Sequence, residues 1–352
     1  MIRLYARKSD DLSYYRDDPA RELDGVRDGP PAWWIRGVAP QGDEAWRVLQ
    51  GSTRSEIVGY DLVVSATRQV STLLAVGSPR EQRELVSAHR RAVLEVVSYL
   101  EERALIYRDR RQGEDIEIPT AWDRVVSFTH GINRALEPHL HDHVIVGARA
   151  TGVDRAIDSR ALYAHLETAD ALYRAQLRHD INQMGRAAER QFDGRDHIEG
   201  VTASMLALWP GGAGRGRDKS HPTRTEIRDR WERFLETRVE VDASARWEPE
   251  RAGINEHYFG SLVEPFRLVA RRDIVRAYAH ASRRGALATD ISALTDELWP
   301  ALRDERGFRE QRVSLAEARQ IGEVRIRGPR PTRLADLAQW RQRDLARDSR
   351  AR

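Results

Sequence analysis

The stretch FTHGINRALEPHLHDHVIV, residues 128–146, decides the fold predicted for this chain. It holds His139, His141 and His143 at every second position, with His130 near the end of the preceding apolar run. A strand directs every second side chain to the same face, so these three histidines share a face. Two strands joined by a short connection are most simply antiparallel neighbours. The sequence therefore predicts that His130 reaches the same point from the adjacent strand.

Three imidazoles at one point are typical of a metal site, because neutral ligands can leave coordination positions open for a substrate. The sequence predicts that His130, His141 and His143 bind the metal. Asp142 is expected to point to the opposite face of its strand, and His139 is expected to be a bystander outside the ligand set. The alternative for a single histidine on a strand is ordinary packing.

The patterns on either side of this stretch define the organisation. Residues 1–9 and 56–66 predict strands, residues 79–105 predict a long amphipathic helix, and the Pro/Gly-rich residues 29–46 predict a loop with two adjacent tryptophans. From about residue 159 the apolar spacing becomes helical.

These patterns together predict an α+β fold in three parts. Residues 1–195 would form a core with an antiparallel sheet, residues 196–325 a helical region, and residues 326–352 an arginine-rich tail.

Composition excludes several classes of function. The 352 residues include no cysteine, so disulfides, thiolate nucleophiles and cysteine-bound zinc are ruled out. The sequence contains no apolar run of about 18 residues, which predicts no membrane insertion. Its first residues lack the apolar core of a secretory signal, so we expect a cytoplasmic protein. A formal net charge of +3 permits a nucleic-acid partner without establishing one.

Three further residues are candidates for chemistry beside the metal. Asp61 lies within an apolar strand pattern, where it is either a structural ion-pair partner or a carboxylate that orients a histidine or accepts a proton. Tyr14 and Tyr15 are adjacent in a polar segment, where they either pack at the surface or supply a hydroxyl that attacks phosphorus beside a divalent ion.

The motifs SYY at 13–15, GYDLVVSATRQVS at 59–71 and the opening stretch resemble, in order and spacing, those of MOB-F class conjugative relaxases. The likeness extends over roughly residues 1–300 and implies that the chain is similar to members of the HUH endonuclease superfamily. It implies a palm with a central antiparallel sheet flanked by helices, followed by helical fingers that close over DNA.

The resemblance also implies roles for individual residues. His130, His141 and His143 would hold Mg²⁺ or Mn²⁺, although other transition metals also suit imidazole ligands. Tyr14 would be the nucleophile, with Tyr15 as its helper or backup, and Asp61 the acidic residue near the triad.

The implied reaction is nicking and rejoining of single-stranded DNA at a transfer origin. A tyrosine takes the 5′ phosphate, and a divalent ion offsets the charge of the transition state. Relaxosome and secretion coupling proteins would be the partners. Arg68 and Arg134 flank the motifs and are candidates for binding DNA phosphates, with surface solvation or an ion pair as the alternative for either.

The sequence departs from the family pattern in three ways. A second tyrosine pair is absent after the first, the common PQLHTH is PHLHDH here, and no GxxxxGK[ST] loop for ATP occurs, which predicts a relaxase domain without a helicase.

Three alternatives remain open. They are a rolling-circle replication initiator or transposase of the same superfamily, a DNA-binding homologue that does not nick, and a cupin-type metalloenzyme. The cupin-type enzyme is disfavoured because no Glu closely follows His143.

Overall fold

The computed structural model describes residues 1–12, 15, 32–37, 55–111, 113–133, 137–191, 194–207, 209, 229, 231 and 271–306. The strands are β1 (Ile2–Arg7), β2 (Ala32–Arg36), β3 (Gly59–Ser65), β4 (Ile106–Arg111), β5 (Glu114–Pro119), β6 (Val125–Ile132), β7 (Pro138–Gly147), β8 (Ala188–Arg190) and β9 (Asp196–Ile198). The helices are α1 (Arg68–Val76), α2 (Pro79–Arg103), α3 (Ser159–Gln183), α4 (Ala203–Ala207), α5 (Arg271–Ala281) and α6 (Ala288–Arg306).

A five-stranded antiparallel sheet in the order β1-β3-β7-β6-β2 forms the centre of the described region. The strand β7 lies in the middle and pairs with β3 on one side and β6 on the other. His141 is the register partner of His130 across β6, and Val63 is the partner of His143 across β3. The predicted α+β fold with an antiparallel sheet is confirmed.

One face of the sheet, which we call the helix face, is covered by α2 and α3. Apolar side chains at alternate strand positions, such as Leu62, Val64 and Val144, pack there in one large buried cluster with residues of both helices. The helix α2 begins as its sequence predicts, because Ser78 and Glu81 form a capping box next to the proline at its first position.

The opposite face, which we call the site face, carries the histidines and a much smaller apolar cluster. The buried side chains of this second cluster are Leu12, Tyr15, Val126, Phe128 and Ile145. The segment before β2 thus contributes Leu12 and Tyr15 to cover part of this face.

The prediction of a loop over residues 29–46 was wrong for residues 32–36, which form the edge strand β2. Trp33 and Ile35 pack against the cluster of the helix face, whereas Trp34 packs against that of the site face. The aromatic run AWWIR has strong strand propensity, and its alternation fits a strand at the edge of the sheet. The flanking prolines and glycine obscured this pattern.

Outside the central sheet, β4 and β5 form a hairpin that turns at Gly113, and β8 pairs with β9. The strands β8 and β9 lie on either side of residue 195, where the sequence predicts a domain boundary, and that boundary stays a prediction. In the described part of the chain, every helix is too short or too polar to cross a bilayer.

Candidate metal centre and tyrosine pocket

His130, His141 and His143 form a triangle on the site face. Their ring centroids are 5.2 Å apart for His130 and His141, and 5.1 Å apart for each pair that includes His143. Each histidine offers a ring nitrogen, and the three nitrogens lie within 4.8 Å of one another. The pairing of β6 with β7 creates this triangle, because His130 and His141 are register partners.

Hydrogen bonds at Nδ1 fix the orientation of two of these rings. The Nδ1 of His141 lies 2.8 Å from the carbonyl oxygen of His139, which can only accept, so this nitrogen carries the proton. The Nδ1 of His143 lies 3.0 Å from both carboxylate oxygens of Asp61. Nε2 of His141 and of His143 is therefore the ring nitrogen available to a metal ion, in the carboxylate–histidine or carbonyl–histidine arrangement that metal sites use.

The triad is electrostatically suited to a cation. Burial, followed by the three neighbouring histidines, lowers the pKa of His141 well below its usual value, so this ring is neutral at physiological pH. Burial also lowers the pKa of His139 to about 4. The donor set of three nitrogens fits a divalent transition ion or a metal that keeps water ligands.

Asp61 connects the triad to Tyr15. The hydroxyl of Tyr15 donates to Oδ2 of Asp61 at 2.8 Å, and its ring lies 4.8 Å from the ring of His143. Arg7 donates from its guanidinium to the hydroxyl oxygen of Tyr15 and lies over the tyrosine ring, 5.1 Å from its centroid. A phenol is thus held between a carboxylate and a guanidinium at the edge of the metal triad.

The side chain of Asp142 lies on the helix face, as the sequence predicts, and is fully buried there. It accepts hydrogen bonds from Ser127 at 2.6 Å and Trp33 at 3.0 Å, and its Oδ1 lies 3.0 Å from Nε2 of His89. Burial would raise the pKa of Asp142, but His89 and the hydrogen bonds hold it well below its usual range. His89 in turn contacts the hydroxyl of Tyr173 at 2.6 Å.

Comparison with known proteins identifies the family. Residues 18–210, more than half of the chain, match the TrwC relaxase family. This chain belongs to the TrwC relaxase family.

Solved relaxase structures support the same fold. Conjugative relaxase TrwC in complex with oriT DNA, in a copper-bound structure, aligns with a TM-score of 0.57 and 19% identity over 67% of this chain and 98% of that one. TrwC complexed with a 27-mer DNA that comprises the recognition hairpin and the cleavage site aligns with a TM-score of 0.51 at 19% identity, over the same shares of the two chains. At this identity the likeness establishes the fold.

A curated sequence relative matches a smaller part of the chain. The multifunctional conjugation protein TraI of Escherichia coli is 31% identical over 112 residues, which cover 32% of this relaxase-family chain and 6% of TraI. The chain therefore corresponds to a small fraction of TraI.

The structure brings most of the predicted site residues of this TrwC-family chain together. The three histidines lie together on one face, and Asp61 and Tyr15 contact each other and His143 there. Tyr14 and Arg134 lie outside the described residues. Arg68 is exposed at the start of α1 and donates to the carbonyl of Leu206 at 2.7 Å, so its contact in the structure is to α4.

Sequence reasoning missed Arg7, His89 and the contact of Trp33 with Asp142. Arg7 and Tyr15 are close together in the sequence. An arginine at the end of a strand, shortly before a tyrosine pair, could have been recognised as a candidate partner of a tyrosine hydroxyl. The contact of His89 with Asp142 depends on how α2 packs across the sheet, which the pattern of a single helix does not reveal.

Proposed function

We propose that this chain nicks and rejoins one strand of DNA at a transfer origin, through a tyrosine that becomes linked to the 5′ phosphate. The observation that carries the proposal is the contact of the Tyr15 hydroxyl with Asp61, which also contacts the triad histidine His143. A phenol, a carboxylate and three imidazoles at one point fit phosphodiester transesterification better than the other chemistries open to this sequence.

In this proposal His130, His141 and His143 hold the divalent ion, for which Mg²⁺ and Mn²⁺ are the candidates. When bound, the ion offsets negative charge on the non-bridging oxygens of the phosphate. The hydrogen bonds of His141 and His143 at Nδ1 support the proposal, because they occupy Nδ1 and leave Nε2 of both rings as the nitrogen that can bind the ion.

Tyr14 is the proposed nucleophile because of its position in the SYY motif, and Tyr15 is its proposed helper. The phenol oxygen bonds to phosphorus as the P–O3′ bond breaks, so a proton leaves the phenol and a proton is gained by the 3′ oxygen. Asp61 is the proposed proton acceptor, because it already accepts a hydrogen bond from the neighbouring phenol of Tyr15. Rejoining reverses these transfers.

The same proposal includes the DNA partner and the cellular setting. Arg68 and Arg134 are proposed to contact DNA phosphates, residues 196–325 to form fingers, and residues 326–352 a tail. The family resemblance implies relaxosome and secretion coupling proteins as partners, and the proposed location is cytoplasmic.

A covalent-adduct assay tests the proposal. Purified protein is mixed with Mn²⁺ and labelled oligonucleotides tiled across the intergenic DNA next to its gene, and adducts are resolved on denaturing gels. We expect one oligonucleotide to give an adduct that Tyr14→Phe abolishes and Tyr15→Phe reduces. An adduct lost only in Tyr15→Phe would transfer the nucleophile role to Tyr15.

The alternatives predict different results in the same assay. A protein that binds an oligonucleotide with the triad intact but forms no adduct on any of them would be a DNA-binding homologue. Adduct formation at a replication origin in place of a transfer origin would indicate a rolling-circle initiator.

A further inference from the structure

The site face continues onto the edge strand β1 through Arg3, Tyr5 and Arg7, which we call the β1 stripe. The register partner of Tyr5 is Asp61, and that of Arg3 is Val63. Side chains of directly opposed residues project to the same face of a sheet. The β1 stripe therefore lies on the face of the metal triad, whereas Ile2 and Leu4 between its members are buried in the cluster of the helix face.

The β1 stripe lies beside the triad. Val63 is the partner of Arg3 on one side and of His143 on the other, so two strand spacings, about 10 Å, separate Arg3 from His143. Alternate residues of a strand are about 7 Å apart, so the three side chains extend over about 14 Å along the edge of the site.

Two members of the β1 stripe are accessible to a ligand. Tyr5 is 48% exposed, and Arg3 is also exposed. Within the part of the chain that the structure describes, the side chains of Arg3 and Tyr5 make no hydrogen bond, ion pair or ring contact. An aromatic ring and a guanidinium without partners are suited to stacking and to ionic contact, respectively.

Arg7 joins the β1 stripe to the reaction site. Its guanidinium contacts the hydroxyl of Tyr15 and the backbone oxygen of Asp11, and in the described residues it forms no ion pair with a carboxylate. Its positive charge therefore adds to that of Arg3 on one continuous surface that ends at Tyr15 and the triad.

We propose that the β1 stripe is a track for single-stranded DNA that leads the strand to the metal triad. Tyr5 stacks on an unpaired base, while Arg3 and Arg7 contact phosphates on the two sides of that base. The inference rests on the proposed function for its substrate class. A single strand fits best, because alternating aromatic and basic side chains match alternating bases and phosphates, and a duplex keeps its base faces stacked.

Binding measured without metal tests the β1 stripe separately from nicking. Fluorescence anisotropy with labelled dT20 in EDTA compares the natural protein with Arg3→Gln, Tyr5→Ala, Tyr5→Phe and the control Arg83→Gln, which alters an exposed arginine of α2. We expect Tyr5→Ala to weaken binding roughly 5- to 100-fold and Tyr5→Phe to retain it, because stacking needs only the ring.

Salt dependence and crosslinking give two further readouts. Arg3→Gln should reduce the slope of log affinity against log salt by about 0.7, as expected for one lost contact with a single strand, and Arg83→Gln should leave the slope unchanged. Irradiation of a complex with 5-iododeoxyuridine-substituted DNA should crosslink Tyr5.

The proposal is overturned if Tyr5→Ala and Arg3→Gln bind dT20 as the natural protein does, or if the natural protein does not bind it. Tyr5-dependent binding of duplex DNA, or tighter binding of rU20 than of dT20, would overturn the assignment to single-stranded DNA. Tyr5-dependent binding of dT20 without adduct formation on any oligonucleotide would contradict the proposed nicking function and support the β1 stripe as a binding site for single-stranded DNA. Adduct formation together with unaltered binding in Tyr5→Ala and Arg3→Gln would support the proposed function and contradict the role of the β1 stripe.

Discussion

The two faces of the central sheet differ in what they carry, because the helix face holds the buried contacts of Asp142 and the site face holds the candidate metal site, and β7 contributes to both. On the helix face, Asp142 is fully buried and each of its oxygens has a partner within a large apolar cluster. On the site face, His141 and His143 stand on either side of that residue, with a small cluster around Tyr15. The two-residue period of the strand therefore allows neighbouring residues to perform unrelated tasks.

This division has a physical reason. A buried carboxylate is tolerated only where its hydrogen bonds are complete, so Asp142 requires fixed surroundings. Metal ligands need rings that are oriented yet remain open to a substrate on one side. One strand meets both needs only because its two faces are covered differently.

The largest expected effect comes from His141→Ala, which tests whether chemistry resides on the site face. Nicking should fall about a thousandfold or more, because removal of one of three ligands releases the ion. The fold should persist. The checks are divalent-ion titration, the adduct assay and a denaturant melt.

His139→Ala is the matched control for this variant, since His139 lies on the same face outside the triad. It should retain metal binding, because the hydrogen bond that orients His141 uses the backbone oxygen of His139, and the ring of His139, 4.6 Å from that of His141, lies outside the triad. Nicking that survives in His141→Ala would refute the ligand assignment.

Whereas His141→Ala should leave the fold intact, replacement of the neighbouring Asp142 should destabilise the fold. Asp142→Ala leaves His89, Ser127 and Trp33 without their shared acceptor, and we expect a loss of about 3–5 kcal/mol in the free energy of unfolding. Denaturant titration measures the loss. Asp123→Ala, at an exposed aspartate, should change stability by less than about 0.5 kcal/mol. Equal stabilities for the two variants would contradict the role of Asp142.

The sequence predictions were most accurate where they depended on interactions between residues close together in the chain. The strand pair β6–β7 and its histidines were predictable. Histidines at every second position of a strand lie on the same face, and a short connection makes the two strands neighbours. The start of α2 was predictable from Ser78 and Pro79, whose effects are local. The strand β2 was missed because Pro31 and Gly37 flank it closely.

Contacts made across layers were beyond such reasoning. No local pattern indicates that His89 of α2 meets Asp142 through the sheet, because the rotation of a helix on a sheet is set by packing. The sequence therefore predicted residues that the structure brings together on the site face, and it left their buried partners on the helix face undetermined.

The histidines of the helical layer predict a dependence of stability on pH. Burial, and then nearby arginines, lower the pKa values of His165 on α3 and His280 on α5 to about 3. The unfolded chain, with values near 6.5, binds more protons between pH 6.5 and 3, so stability falls as pH falls through this range. Within this range each histidine changes the free energy of unfolding by about 1 kcal/mol per pH unit.

Denaturant midpoints at pH 7.5, 6, 5 and 4 measure this slope. His165→Gln should flatten it, since glutamine does not titrate and can still accept from the hydroxyl of Tyr99, which lies 2.8 Å from Nδ1 of His165. An unchanged slope in this variant would show that His165 is not responsible for the acid sensitivity of the helical layer.

The smallest expected effect is a change in metal affinity, and it tests whether the helix face and the site face are independent. Ser127→Ala removes one of the hydrogen bonds to Asp142 and should lower the free energy of unfolding by about 1.5–3 kcal/mol, the range for a hydrogen bond to a charged group. Metal affinity should change less than twofold, because Ser127 faces away from the triad. Ser87→Ala, at an exposed serine of α2, serves as the control. A parallel loss of metal affinity would mean that the network around Asp142 sets the geometry of the histidines on either side of it, and the two faces would then have to be treated as one coupled unit.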